Sequence, residues 1–218
     1  MNTQKKAILY DDNCPMCRLY TQGFVKAGML ESENRIPFSC VQESPHANKI
    51  DLDRSRHEIP LIDLEGGKTL YGLDSLLFMI GSRLPFLASI GRFAPFYYFF
   101  KLFYAFISYN RRVIIQSVGT QKGFNCAPDF NVYYRLSFIG IALFLGGYFF
   151  QIRWEYILGV VISHYLLPFL NKYERSELLG QLSVSIFIGL IFLPFHFWVG
   201  ISAFLLAYIW RIKTHFKL

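Results

Sequence analysis

The sequence predicts two architectures in one chain: a small α/β domain, followed by an all-α region suited to a membrane. Three observations carry this expectation. An apolar run, Ala7 to Tyr10, passes through Asp11, Asp12 and Cys14-Pro15-Met16-Cys17 into apolar residues at helical spacing, Leu19, Phe24 and Val25. The 218 residues are 53% hydrophobic and 18% aromatic but only 17% charged, which is too apolar for an ordinary soluble domain. The charge is also divided unevenly. Residues 1–90 hold 10 of the 22 Lys and Arg and 11 of the 15 Asp and Glu, so the remaining 12 basic and 4 acidic residues lie in 91–218. The net +7 therefore belongs to the apolar half, where basic residues between greasy segments face anionic lipid head groups. No basic, polar stripe points to nucleic acid.

A strand that turns into a helix through CxxC is how a thioredoxin-like redox site is built, so the N-terminal domain is expected to be α/β and thioredoxin-like (glutaredoxin-like). The spacing has a physical reason. Cys14 falls at the first helical turn, where unpaired N–H groups and the helix dipole favour a thiolate. Cys17 lies one turn on, on the same face, within reach for a small disulfide ring. Pro15 suits the first turn because its missing N–H is not needed there. Cys14 is the expected nucleophile and Cys17 the resolving thiol, the two forming a redox-active disulfide. Asp11 is a candidate to accept or relay the proton of Cys17, its pKa raised by burial; a helix-capping or turn role fits it equally. A zinc half-site is the competing reading of the pair. It needs two further ligands, and Cys40, Cys126, His46 and His57 offer no second CxxC or HxxxH. No metal is therefore expected, and dithiol exchange implies no organic cofactor.

The next elements come in chain order. Ile36 to Val41 reads as a strand carrying Cys40 as a buried small hydrophobe, and residues 42–57 read as a loop. A strand at Ile59 to Asp63, a turn at Gly66-Gly67 and a strand at Lys68 to Tyr71 precede a helix from Leu73 to Ser82, with Asp74 as its cap. Pro60 opens the third strand, where a cis proline would lie against the disulfide. Residues 84–112, dense in Phe and Tyr but interrupted by Pro85, Gly91, Pro95 and Lys101, read as helices packed on the redox domain or lying at a membrane interface.

The redox domain is thus expected over 1–115, a linker over 116–133 and a membrane domain over 134–218. Four spans are expected at 135–151, 154–170, 177–193 and 195–211, each near the length of a span. The alternative is one long kinked helix through Pro194, leaving three. Gly146, Gly147 and Gly159 would allow close helix packing. Lys172, Arg175 and the basic tail against a lone Arg153 place both termini, and the redox domain, on the cytoplasmic side of the inner membrane. The polar start MNTQKK does not resemble a signal peptide.

Tyr10-Asp11-Asp12-Asn13-Cys14-Pro15-Met16-Cys17 resembles the signature of the DCC family of thiol-disulfide oxidoreductases, an Asp-x-x-Cys-x-x-Cys motif at Asp11, Cys14 and Cys17. Gly72-Leu73-Asp74-Ser75-Leu76 resembles that family's Gly-x-Asp-Ala-Leu stretch, with serine for alanine, and Tyr109-Asn110-Arg111-Arg112 resembles its closing elements. The resemblance spans roughly residues 5–115 and implies a thioredoxin-like fold with oxidoreductase activity; it does not reach the apolar tail. The expected function is a membrane-anchored thiol-disulfide oxidoreductase. Its partners would be a protein or small-molecule disulfide or dithiol, the lipid bilayer and a further membrane protein, with no nucleic acid. The rivals are an accessory subunit that uses the N-terminal domain for docking, and a transporter or quinone-coupled enzyme. Against the last, the apolar runs offer little ionisable chemistry besides Glu155 and His164.

Overall fold

A computed structural model describes residues 3, 5–43, 47–115, 128–151, 162 and 172–216. The chain divides into two compact units, Met1–Asp129 and Phe130–Leu218.

In the first unit β1 (Lys6–Tyr10) is an inner strand of a four-stranded sheet ordered β2-β1-β3-β4, with β2 (Arg35–Pro37), β3 (Pro60–Asp63) and β4 (Leu70–Tyr71). β2 runs parallel to β1, pairing Ile8 with Arg35, whereas β3 runs antiparallel, pairing Ala7 with Ile62. Successive side chains of a strand point to opposite faces, and both faces are covered here. Ile8 and Leu61 pack with Leu30, Ile59 and Met79, while Leu9 and Ile62 pack with Phe38 and Val41. That is why the β1 run is apolar throughout rather than alternating.

Helix α1 (Pro15–Lys26) follows β1, a short α2 (Leu52–Ser55) precedes β3, and α3 (Leu73–Gly81) follows β4. Gly72 caps α3 with a φ of +59°, a left-handed conformation that glycine adopts without a Cβ penalty. Asp74 lies inside the first turn, where it accepts a bond from the Tyr97 hydroxyl at 3.1 Å, so the expected capping role passes to Gly72. The unit closes with α4 (Pro85–Arg92) and α5 (Ala94–Ile114). Pro85 and Pro95 read as interruptions in the sequence. They lie in the first turns of these helices, where a missing N–H costs nothing.

The expected fold class does not hold. The described residues are 69% helix and 8% strand, with one small sheet and helices not confined to the C-terminal part, and no thioredoxin-like fold is evident. The strands are short, two to five residues, whereas the aromatic stretch after Leu84 adds a helix of 21 residues to the first unit. The strand expected to run to Val41 ends at Pro37, and Cys40 lies exposed in a 3-10 turn rather than buried.

The second unit is helical: α6 (Val132–Phe149), α7 (Lys172–Phe192) and α8 (Phe197–Phe216). α7 and α8 are separate helices on either side of Pro194, not one kinked helix. Ile139, Leu179, Leu182 and Ile186 form the core. Small residues bring the backbones together: a Cβ on Gly189 would lie 2.9 Å from the Gly200 carbonyl oxygen, and one on Gly146 would lie 2.8 Å from Ile186. Arg135 of α6 pairs with Glu177 of α7, and Arg211 of α8 donates to the Gln181 amide oxygen at 2.8 Å; all four side chains are buried.

Among the described residues one helix, Val132–Phe149, is long and apolar enough to cross a membrane, and α7 holds a shorter apolar stretch, Ser176–Phe192. Of the span expected at 154–170 only residue 162 is described; Gly159 and His164 lie outside the described residues.

Candidate active site

The site is built on the turn from β1 into α1. Asp11 directly follows the strand, and its Oδ1 accepts the Asn13 N–H at 3.0 Å while its carbonyl accepts the Cys14 N–H at 3.1 Å. Cys14 is the N-cap residue of α1 in extended conformation, its carbonyl accepting the Arg18 N–H at 3.0 Å, and Pro15 is the first helical residue. Cys17 comes one turn later. Strand β2 anchors the helix from the other side. Arg35 donates to the Thr21 hydroxyl at 2.8 Å and to the Arg18 carbonyl at 3.2 Å, and its guanidinium lies over the Tyr10 ring at 3.8 Å. Thr21 in turn donates to the Cys17 carbonyl at 2.7 Å.

Both thiols are free, with Cys14 1% and Cys17 4% exposed. They are not equivalent. Cys17 donates its thiol proton, and also its backbone N–H, to the Cys14 sulfur, which with the nearby Arg111 charge lowers the Cys14 pKa to about 6, against burial and the Asp11 carboxylate. The same hydrogen bond, seen from its donor, pushes the Cys17 pKa far up, and burial pushes it further. One sulfur is therefore held as a thiolate at neutral pH and its neighbour as a thiol, an ordering that suits a nucleophile and a resolving group.

Arg111 comes from the last turn of α5, and its Nη2 donates to Asp11 Oδ2 at 3.2 Å, with both side chains buried. A guanidinium taken out of water needs a carboxylate partner, and this one also acts on the two sulfurs. Two tyrosines complete the surroundings. Tyr20 of α1 bonds to Cys17 and is held neutral chiefly by burial. Tyr104 of α5, also held neutral by burial, accepts the Ile59 N–H at 2.9 Å. Ser75 and Ser108 bond the carbonyls of Ile59 and His57. The chain ahead of β3 is thus fixed from α3 and α5.

Of the residues expected in the site, Cys14, Cys17 and Asp11 come together. Asp11 is turn acid and ion-pair partner at once: it bonds Asn13 and Arg111, while α1 has no side-chain cap of its own. Pro60 is buried, opens β3 and pairs with Tyr71. The cis peptide expected there is absent; no described peptide bond is cis, and the neighbouring Ile59 N–H and carbonyl are held by Tyr104, Ser75 and Gly72 instead. Arg111, Tyr20 and Tyr104 carry no site role in the sequence reading. Arg111 lies 100 residues from Asp11, and its place in the closing Asn-Arg element is the one sequence signal that marks it.

Among the described residues no three His, Cys, Asp or Glu side chains converge as a metal site would require. Cys126 and His46, candidate partners for the pair, lie outside the described residues. His57 bonds Asp129 at 3.1 Å and stacks on the Tyr109 ring. No family model, curated protein or solved structure matches this chain.

Proposed function

We propose that the chain is a membrane-anchored thiol-disulfide oxidoreductase in which Cys14 attacks and Cys17 resolves. The observation that carries this reading is the opposed polarisation of the two thiols. Cys14 is drawn to a pKa of about 6 by donors from Cys17 and by Arg111, while Cys17 keeps its proton. The Asp-x-x-Cys-x-x-Cys resemblance of residues 11–17 to DCC oxidoreductases agrees with it.

The step balances as a two-electron exchange. The Cys14 thiolate forms a bond to one sulfur of a protein or small-molecule disulfide, whose S–S bond breaks, and the departing sulfur leaves as a thiolate. Cys17 then loses its proton and attacks the Cys14 sulfur. The Cys14–Cys17 bond forms, the mixed disulfide breaks, and the second substrate sulfur departs as a thiolate. The substrate is reduced and the dithiol oxidised. Asp11, which interacts electrostatically with both sulfurs, is assigned to receive the Cys17 proton.

Anchoring rests on α6, which is long and apolar enough to span a bilayer, and on the excess of basic residues in 91–218. By the positive-inside rule the dithiol faces the cytoplasm. The near-complete burial of Cys14 favours a second reading, an accessory membrane subunit whose first unit docks a partner. A glutathione redox titration of the purified chain, with the bond located by peptide mass, separates the two. The oxidoreductase gives a reversible Cys14–Cys17 disulfide at a potential between about −120 and −270 mV, and Cys14→Ser abolishes function in cells. Absence of that bond, with function retained by Cys14→Ser, leaves the accessory subunit.

A further inference from the structure

The first unit holds a cavity that thiol exchange does not require. It has a volume of about 540 Å³ and lies among α1, α3, α4 and α5, within the roughly 300–1,000 Å³ range of small-molecule sites. Leu76 and Ile80 of α3, Ile90 of α4, and Phe103 and Ile107 of α5 supply apolar walls, and Cys17, not Cys14, reaches into its lining.

The polar groups of the lining are already engaged. The Tyr104 hydroxyl holds the Ile59 N–H, the Ser108 hydroxyl donates to the His57 carbonyl, and Arg111, the sole charged lining residue, holds Asp11. These few groups give a polar or ionic ligand little to pair with on otherwise apolar walls, whereas a hydrocarbon ligand needs no partner. The surroundings of the cavity are apolar too. Leu87 and Phe103 line it and are also 49% and 55% exposed. On the outer surface of the same two helices Phe86, Phe96 and Phe99 are exposed as well, with Phe93 at the junction between them. An aromatic surface of this kind is costly against water and natural against a bilayer. Arg92 and Lys101, exposed on these helices, suit lipid phosphates.

We propose that the cavity binds the acyl chain of a bilayer phospholipid, entering past α4 and α5 and ending against the wall that carries Cys17. This rests on the membrane reading under Proposed function. The test uses the full chain reconstituted in phosphatidylcholine and phosphatidylglycerol vesicles with a trace of phosphatidylcholine bearing a diazirine at one acyl terminus. After irradiation, adducts are mapped by peptide mass. The proposal expects adducts on the peptides holding Leu76–Ile80 and Phe103–Ile107, in addition to adducts on α6. Leu76→Trp on α3 and Ile107→Trp on α5 should each remove the cavity adducts while leaving those on α6 and the Cys14 alkylation rate unchanged. A wild-type comparison covers the case of a misfolded variant: moving the diazirine next to the glycerol should lose the deep adducts and gain adducts at Leu87. Adducts on α6 with none on the cavity walls overturn the site but not the anchoring. Adducts only on the outer face of α5, or wall adducts that survive both tryptophans, overturn it equally. Adducts on neither overturn the membrane reading itself.

Discussion

Arg111 in the first unit and Arg135 in the second are both buried, both close to a helix end and both paired with a carboxylate. Their neighbours differ. Arg135 meets Glu177, the Ser176 carbonyl and the Phe130 ring, so its charge serves to tie α6 to α7. Arg111 meets Asp11 and, beyond it, two thiols whose protons its charge can move. A buried ion pair is by itself weak support for stability. It becomes chemistry when a third ionisable group shares the cation, as the two thiols do at the Arg111 site.

That contrast can be broken in order of expected effect. Arg111→Met should cost the first unit about 3–5 kcal/mol, because the Asp11 carboxylate is left buried without its partner, and should also raise the Cys14 pKa. Adding Asp11→Asn should restore most of the stability and bring the Cys14 pKa only part of the way back down, as read by denaturant titration and thiol alkylation of the same samples. The return is partial because the carboxylate that opposes the thiolate is the smaller of the two charge effects. In the second unit Glu177→Leu should cost about as much, and pairing it with Arg135→Met should bring stability back near the starting value. Neither change should move the Cys14 titration. If it does, the two units are not separate in the way their chemistry suggests. The smallest effect is at Tyr104→Phe, which leaves the Ile59 N–H without its acceptor and should cost about 1–3 kcal/mol. Hydrogen exchange at the Ile59 amide should rise in that variant.

The local parts of the site are legible because they depend on neighbours in sequence. The run from Ala7 through Cys17 holds strand, turn and helix in the right order, and the N-cap position of Cys14 is a matter of spacing alone. Gly72 and the pattern from Leu73 mark α3. The misreadings are long-range or depend on context. The partner of Asp11 arrives from the end of a helix far along the chain, and no periodicity announces it. The cis expectation at Pro60 belongs to a fold class that the mostly helical structure overturns. Pro85 and Pro95 look like breaks in the sequence because a proline marks a helix start as readily as a stop, and only the residues after it decide between them. After Pro95 the helix runs uninterrupted to Ile114 and brings Arg111 to the cysteines.

The most direct test of a polarised cysteine pair is the pH dependence of alkylation at Cys14, measured by mass after brief exposure to iodoacetamide. A thiolate held by Cys17 and Arg111 should react at a rate that rises through a midpoint of about 6 and is level above it. The lowered pKa means that reactivity is lost only as pH falls through that value, and Cys17→Ala should move the midpoint upward. A rate that climbs instead through the ordinary thiol value of 9.0, unchanged by Cys17→Ala, would contradict the central claim that these two cysteines form a polarised pair.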